Sequence, residues 1–111
     1  MFNGVAGNIE RYMSLLDARQ KLVASNIANA DTPGYRTRDI DFQTEFQSLV
    51  ETGGPAVIEP DGLTTRNDGN NVNLDRESRL LAENALRYNL ASTLARAQIR
   101  VIRSAIQEGK G

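Results

Sequence analysis

The sequence has no cysteine, no histidine and no tryptophan. Without cysteine there is no disulfide staple and no thiolate metal site. Without histidine the commonest general base and the commonest metal ligand are both missing. Chemistry would have to run on carboxylates alone, so neither an enzyme nor a cofactor is expected. Aromatic residues are also scarce, three Phe and three Tyr. Large rings dominate core energetics, so 111 residues with so few of them make a thin self-sufficient core. Long hydrophobic runs are lacking too. No stretch approaches the ~18 apolar residues of a membrane helix. Residues 1–16 show neither the basic n-region nor the apolar h-region of a secretory signal.

The net charge of −1 gives no bulk attraction for nucleic acid. Its distribution is uneven. Residues 31–74 carry three Arg against eight carboxylates, while residues 75–111 carry seven cations against four. An acidic middle therefore precedes a basic end, a pattern that favours pairing between neighbouring copies.

Apolar residues recur at helical spacing over two long segments. In the first, Val5, Ile9, Tyr12, Met13, Leu16, Val23, Ile27 and Ala30 share one face. Arg19 and Asn26 interrupt strict heptad positions, so the seam is not a regular coiled coil. Pro33 and Gly34 end this helix near residues 29–31. The second runs from about Asp75, the expected N-cap, to Gln107. One stripe contains Leu81, Ala85, Tyr88, Ala95, Ile99, Ile102 and Ile106. Another, roughly opposite at ~100° per residue, contains Leu86, Leu90, Leu94, Ala97 and Val101. A helix apolar on two opposed faces must be covered on both. The first helix covers one: Ile9, Tyr12, Leu16, Val23 and Ile27 are expected to meet Leu81, Tyr88, Ile99, Ile102 and Ile106. The stripe Leu86, Leu90, Leu94, Ala97 and Val101 is left for another molecule. Arg96, Arg100 and Arg103 lie together on a polar flank.

The expected fold is all-α: two long terminal helices in an antiparallel, coiled-coil-like pair around a short irregular middle. The divisions are 1–34 (helix and turn), 35–74 (middle) and 75–111 (C-terminal helix). Within the middle, Asp41 can cap a short helix over 41–50 with Phe42, Phe46, Leu49 and Val50 on its apolar side. The turn Pro60-Asp61-Gly62 suggests a hairpin over 56–66. Three chemical readings fail. Asp39 and Asp41 lack a partner base and read as capping or solvated residues. Residues 64–75 align with a calcium loop through Gly69, but Thr64 and Arg66 stand where its first oxygen ligands belong. Tyr12, Tyr35 and Tyr88 with scattered Arg read better as packing than as a nucleic-acid platform.

The run Asn26, Ile27, Ala28, Asn29, Ala30, Asp31, Thr32, Pro33, Gly34 and Tyr35, preceded by Ser25 and continued through Phe42, resembles the signature of the flagellar axial proteins. A second block, Gly69 to Glu77 and on to Tyr88, is similar to the C-terminal part of that family. The longer match resembles its short proximal rod members of the FlgB type, with the FlgC type the alternative. The chain looks short for the family, as if its middle were reduced. The resemblance implies a structural subunit of the basal-body rod, the hollow drive shaft that transmits torque from membrane ring to hook. It implies as partners copies of the chain, other rod proteins, the membrane-ring (MS-ring) protein with its rod-junction adaptor, and the flagellar type III export apparatus. It also implies a place in the periplasm reached without a cleaved signal peptide. A free-standing helical adaptor or export chaperone, using the second stripe as a client groove, is the alternative outside the family.

Overall fold

The structure, a computed structural model, describes residues 4–48 and 54–110. Its helices are α1, Val5–Ala28; α2, Phe42–Gln47; and α3, Leu74–Lys110. α1 and α3 pack together and α2 lies against α1. The body measures 70 × 27 × 18 Å. That length follows from α3, whose 37 residues at ~1.5 Å each span roughly 55 Å. The all-α architecture with two long, paired terminal helices is the one expected from the periodicity. The hydrogen bonds Asn26–Glu77 and Gln20–Asn84 set the antiparallel register. In that register, residues from Arg103 onward run past the described start of α1, and they are exposed through Gly109.

α1 stops where the sequence supplies partners for its last carbonyls. The Asn29 N–H is shared between Ser25 O (3.1 Å) and Asn26 O (3.3 Å). The Asn29 side chain also donates to Ser25 O at 2.9 Å. The chain then turns through Gly34 at φ 76°, a conformation that favours glycine. At the other end, Asp75 is not the cap of α3 but lies within its first turn. Asn73 caps it: its Oδ1 accepts the Arg76 N–H at 3.1 Å, and its carbonyl accepts the Glu77 N–H at 3.0 Å. Asn and Asp are nearly equal caps. Starting at Asn73 has the further effect of presenting Glu77 to Asn26.

The face of α3 turned toward α1 differs from the expected stripe. Its buried residues are Glu77, Leu80, Asn84 and Ala91. Relative to the stripe through Leu81, Tyr88, Ile99 and Ile106 this face is rotated by roughly 60° at ~100° per residue. Those four side chains consequently remain exposed. The cause is polar pairing. Glu77 and Asn84 are invisible to a hydrophobic pattern, yet Asn26 and Gln20 of α1 give them inward partners. On α1, Leu15, Leu16 and Val23 are buried, while Ile9 and Ile27, like Ile102 of α3, are half-buried. Tyr12 belongs to a different contact. It meets Phe42 and Phe46 of α2 edge-to-face, at centroid distances of 5.4 and 5.6 Å, a favoured aromatic geometry.

The short helix forms where Asp41 caps it, accepting the Thr44 N–H at 3.3 Å. Leu49 and Val50 of the expected helix lie outside the described residues. The expected hairpin over 56–66 does not form. Gly62 does turn the chain, at φ 80°, but Ile58 pairs with Asp39 in an isolated antiparallel bridge, with N–H···O distances of 2.7 and 2.8 Å. A lone two-stranded hairpin is marginal in water. Pairing with Asp39 instead fastens the loop to the segment that follows α1.

Candidate functional site

Two surfaces stand out: a polar junction at one end of the helix pair and an uncovered apolar face at the other. The junction is centred on Asn26, which is fully enclosed. Its Nδ2 donates to Arg38 O (2.8 Å) and to Glu77 Oε1 (2.6 Å). Its Oδ1 accepts from the Tyr35 hydroxyl (3.0 Å) and the Arg38 N–H (3.1 Å). All four hydrogen-bonding capacities of the amide are used. Aspartate has no donor for two of these partners, and leucine would strand all four.

Beside it lies a four-member ion cluster. Asp39 accepts two parallel bonds from the Arg19 guanidinium, each 3.0 Å. It also accepts from Arg76, whose other Nη donates to Glu77 at 2.6 Å. Two carboxylates face two guanidiniums, so the enclosed charge cancels. Burial alone would raise the Asp39 carboxyl. The Arg19 bonds, the Ile40 N–H and Arg76 outweigh it and hold the group below the ordinary 3.8. Burial likewise opposes the charge on Arg76, but Glu77 and Asp39 overcome this and raise it.

The third part is the close approach of two turns. Gly34 N–H donates to Asp68 O at 2.8 Å. Gly69 has φ 86°, and a Cβ there would lie 3.3 Å from the Cα of Gly34. Asn70, fully enclosed, donates to the carbonyls of Asn29 and Thr32, both at 2.9 Å. Arg66 donates to Ala30 O. Asn71 accepts the Thr37 N–H at 2.6 Å. The two recognisable stretches, 26–42 and 69–77, are thus two halves of one joint. Within the first, Asn26 and Ala30 face inward. Ala28, Asp31, Thr32, Pro33 and Gly34 face solvent, and Ile27, Asn29 and Tyr35 are half-buried. Ala24, one turn before Ala28, is exposed as well.

Sequence reading missed Arg19, Asp39, Arg76, Asn70 and Asn71 as members of the joint. Asp39 in particular is a buried ion-pair partner and not a solvated loop residue. One signal was present: Arg19 and Asn26 sit at heptad positions where apolar residues belong.

The apolar surface lies on the outer side of α3. Leu86 is 72% exposed, Leu90 62%, Leu94 51% and Val101 68%, with Ala97 half-buried among them. On the adjoining side, a groove of about 490 Å³ lies between α1 and α3. Met13, Tyr88, Ala95, Ile99 and Ile102 line it, and Glu10, Ser14 and Asp17 border it on α1. Among the described residues no helix is long and apolar enough to cross a membrane. No group of three or more His, Cys, Asp or Glu there could hold a metal ion.

The joint coincides with what the chain shares with known proteins. The sequence profile described as "Flagella basal body rod protein" matches residues 13–36, most of α1 and the turn after it. The flagellar basal body rod protein FlgB of Salmonella typhimurium is 34% identical, over 87% of this chain and 88% of that protein. That of Escherichia coli is 33% identical over the same shares. That of Bacillus subtilis is 28% identical over 99% of this chain and 98% of the relative. The Bacillus alignment spans 127 positions. A chain of 111 residues fills these only with gaps, so the relative has residues this chain lacks. With identity at this level across both terminal helices and the joint between them, the chain belongs to the flagellar basal body rod proteins, of the FlgB type.

Proposed function

We propose that the chain builds the proximal part of the flagellar rod and helps carry torque from the membrane ring to the hook. The observation that carries this reading is the outer stripe Leu86, Leu90, Leu94, Ala97 and Val101, which nothing among the described residues covers. Each large side chain there gains ~1.5–3 kcal/mol on full burial. A neighbouring helix that covers several of them therefore supplies a strong drive to assemble. The joint around Asn26 has the complementary task of holding α1 and α3 in one register, so load passes along a rigid pair. The motif residues Asn26 to Tyr35 serve this brace.

The neighbours are further copies, other rod proteins, and the membrane-ring protein with its rod-junction adaptor. Delivery runs through the flagellar type III export apparatus to the periplasm without a cleaved signal. The far half of α3 is loosely held in the free chain and ordered by its neighbours, which contribute the contact area the monomer lacks. The test is Leu90→Asp or Leu94→Asp in a host deleted for its own copy. Rod assembly and swimming should both be lost. Normal basal bodies in either variant would remove the stripe from the mechanism.

A further inference from the structure

The outer stripe and the groove lie on different faces of the same half of the molecule. We propose that the stripe of one copy seats in the groove of the next, an inference resting on the rod-subunit reading above. The groove floor is apolar (Met13, Ala95, Ile102), and its α1 border is acidic through Glu10 and Asp17. These two are seven residues apart, two turns of one helix side, so their carboxylates are roughly 10 Å apart along the axis. At ~100° per residue Arg100 flanks the stripe, while Arg96 and Arg103, which share the seven-residue spacing, lie on the polar flank between the stripe and the groove's α3 edge. Arg100 and Arg103 make no ion pair among the described residues, and Arg96 bonds only the hydroxyls of Ser92 and Thr93. Among the described residues, Asp17 has only an exposed pairing with Lys21 to give up.

Charge also decides against the symmetric alternative. Between Glu83 and Glu108, α3 carries Arg87, Arg96, Arg100 and Arg103 and no carboxylate. Stripe against stripe would bring two basic surfaces together, whereas stripe in groove sets arginines against Glu10 and Asp17. The contact is therefore heterologous, leaving each copy with one free stripe and one free groove. Such contacts propagate from copy to copy, as rings or as open helical arrays, instead of closing as symmetric dimers.

The absence of cysteine makes a direct test available. Full-length Ser14→Cys and Ala97→Cys chains are mixed at a concentration where sedimentation shows oligomers, then oxidised. Disulfides joining Ser14→Cys to Ala97→Cys should dominate over like-with-like bridges. Reversing Glu10 and Asp17 to Arg should weaken self-association roughly tenfold, as expected for two exposed ion pairs. Adding Arg96→Glu and Arg103→Glu should restore it. Dominant Ala97→Cys homodimers would overturn the groove pairing while leaving the stripe as an assembly surface. A chain that stays monomeric at every concentration would overturn the pairing as well. The swimming phenotype of Leu90→Asp then decides separately whether the rod-subunit reading stands.

Discussion

At the joint, the most deeply enclosed side chains are polar: Asn26, Thr37, Asn70 and Glu77. Farther along α3 the arrangement reverses, and Leu86, Leu90, Leu94 and Val101 stand in solvent. The contrast separates two tasks. Directional bonds admit one geometry, so a polar joint specifies how α1, the middle segment and α3 meet. Apolar contact is non-directional and strong per unit area, so an uncovered leucine face provides affinity for a neighbour. The joint is complete within one chain. The α3 face is left uncovered by the described residues, and under the proposed function a second chain covers it.

Substitutions at the two ends should therefore fail in different ways. The largest effect is expected from Leu90→Asp, which should abolish rod assembly while the free chain keeps its circular dichroism spectrum and melting temperature. A large loss of monomer stability would show that Leu90 has an intrachain role. Asp39→Ala should do the opposite. It strands Arg19 and leaves Arg76 with Glu77 alone in an enclosed site, and breaking such a cluster costs ~3–5 kcal/mol, readable as a shift in the urea midpoint.

The same carboxylate makes the joint acid-sensitive. Its folded pKa lies below the unfolded value, so its contribution is fully present above about pH 3.8. That contribution is lost as pH falls through the lower folded value. Asp39→Asn should accordingly flatten the acid limb of stability against pH. An unchanged limb would mean that other carboxylates dominate it. Gly69→Ala is a smaller perturbation, since it forces a side chain into positive φ against Gly34. It should cost ~1–2 kcal/mol. Smallest is Thr37→Val. The Thr37 hydroxyl is buried without a partner among the described residues, so its removal should be neutral or stabilising by up to ~1 kcal/mol. Clear destabilisation would reveal a bond that the hydroxyl makes.

The same contrast explains how much was legible in advance. Periodicity located both long helices, and Pro33 with Gly34 marked the end of the first, because chain-local sterics act there. The outer leucine stripe was legible because four large apolar residues at helical spacing have no other signature. The inward face of α3 was misplaced by roughly 60° because a hydrophobic pattern gives no weight to Glu77 or Asn84. Polar groups become inward-facing only when a distant partner satisfies them, and Asn26 is 51 positions from Glu77. For the same reason Asp39 read as a loop carboxylate. Arg19 and Arg76 approach it only after α1 and α3 have paired. The bridge from Ile58 to Asp39 was likewise out of reach, since local turn chemistry at Gly62 pointed to a hairpin.

Amide hydrogen exchange on the free, full-length chain tests the contrast most directly, because it resolves the two ends of α3 within one helix. Slow exchange is predicted for residues 77–84, where Asn26 and the ion cluster hold the helix. Fast exchange is predicted from about residue 94 onward, with protection appearing there only in assembled rods. Uniformly slow exchange along the whole of α3 in the free monomer would contradict it, because the outer face would then need no neighbour to be stable.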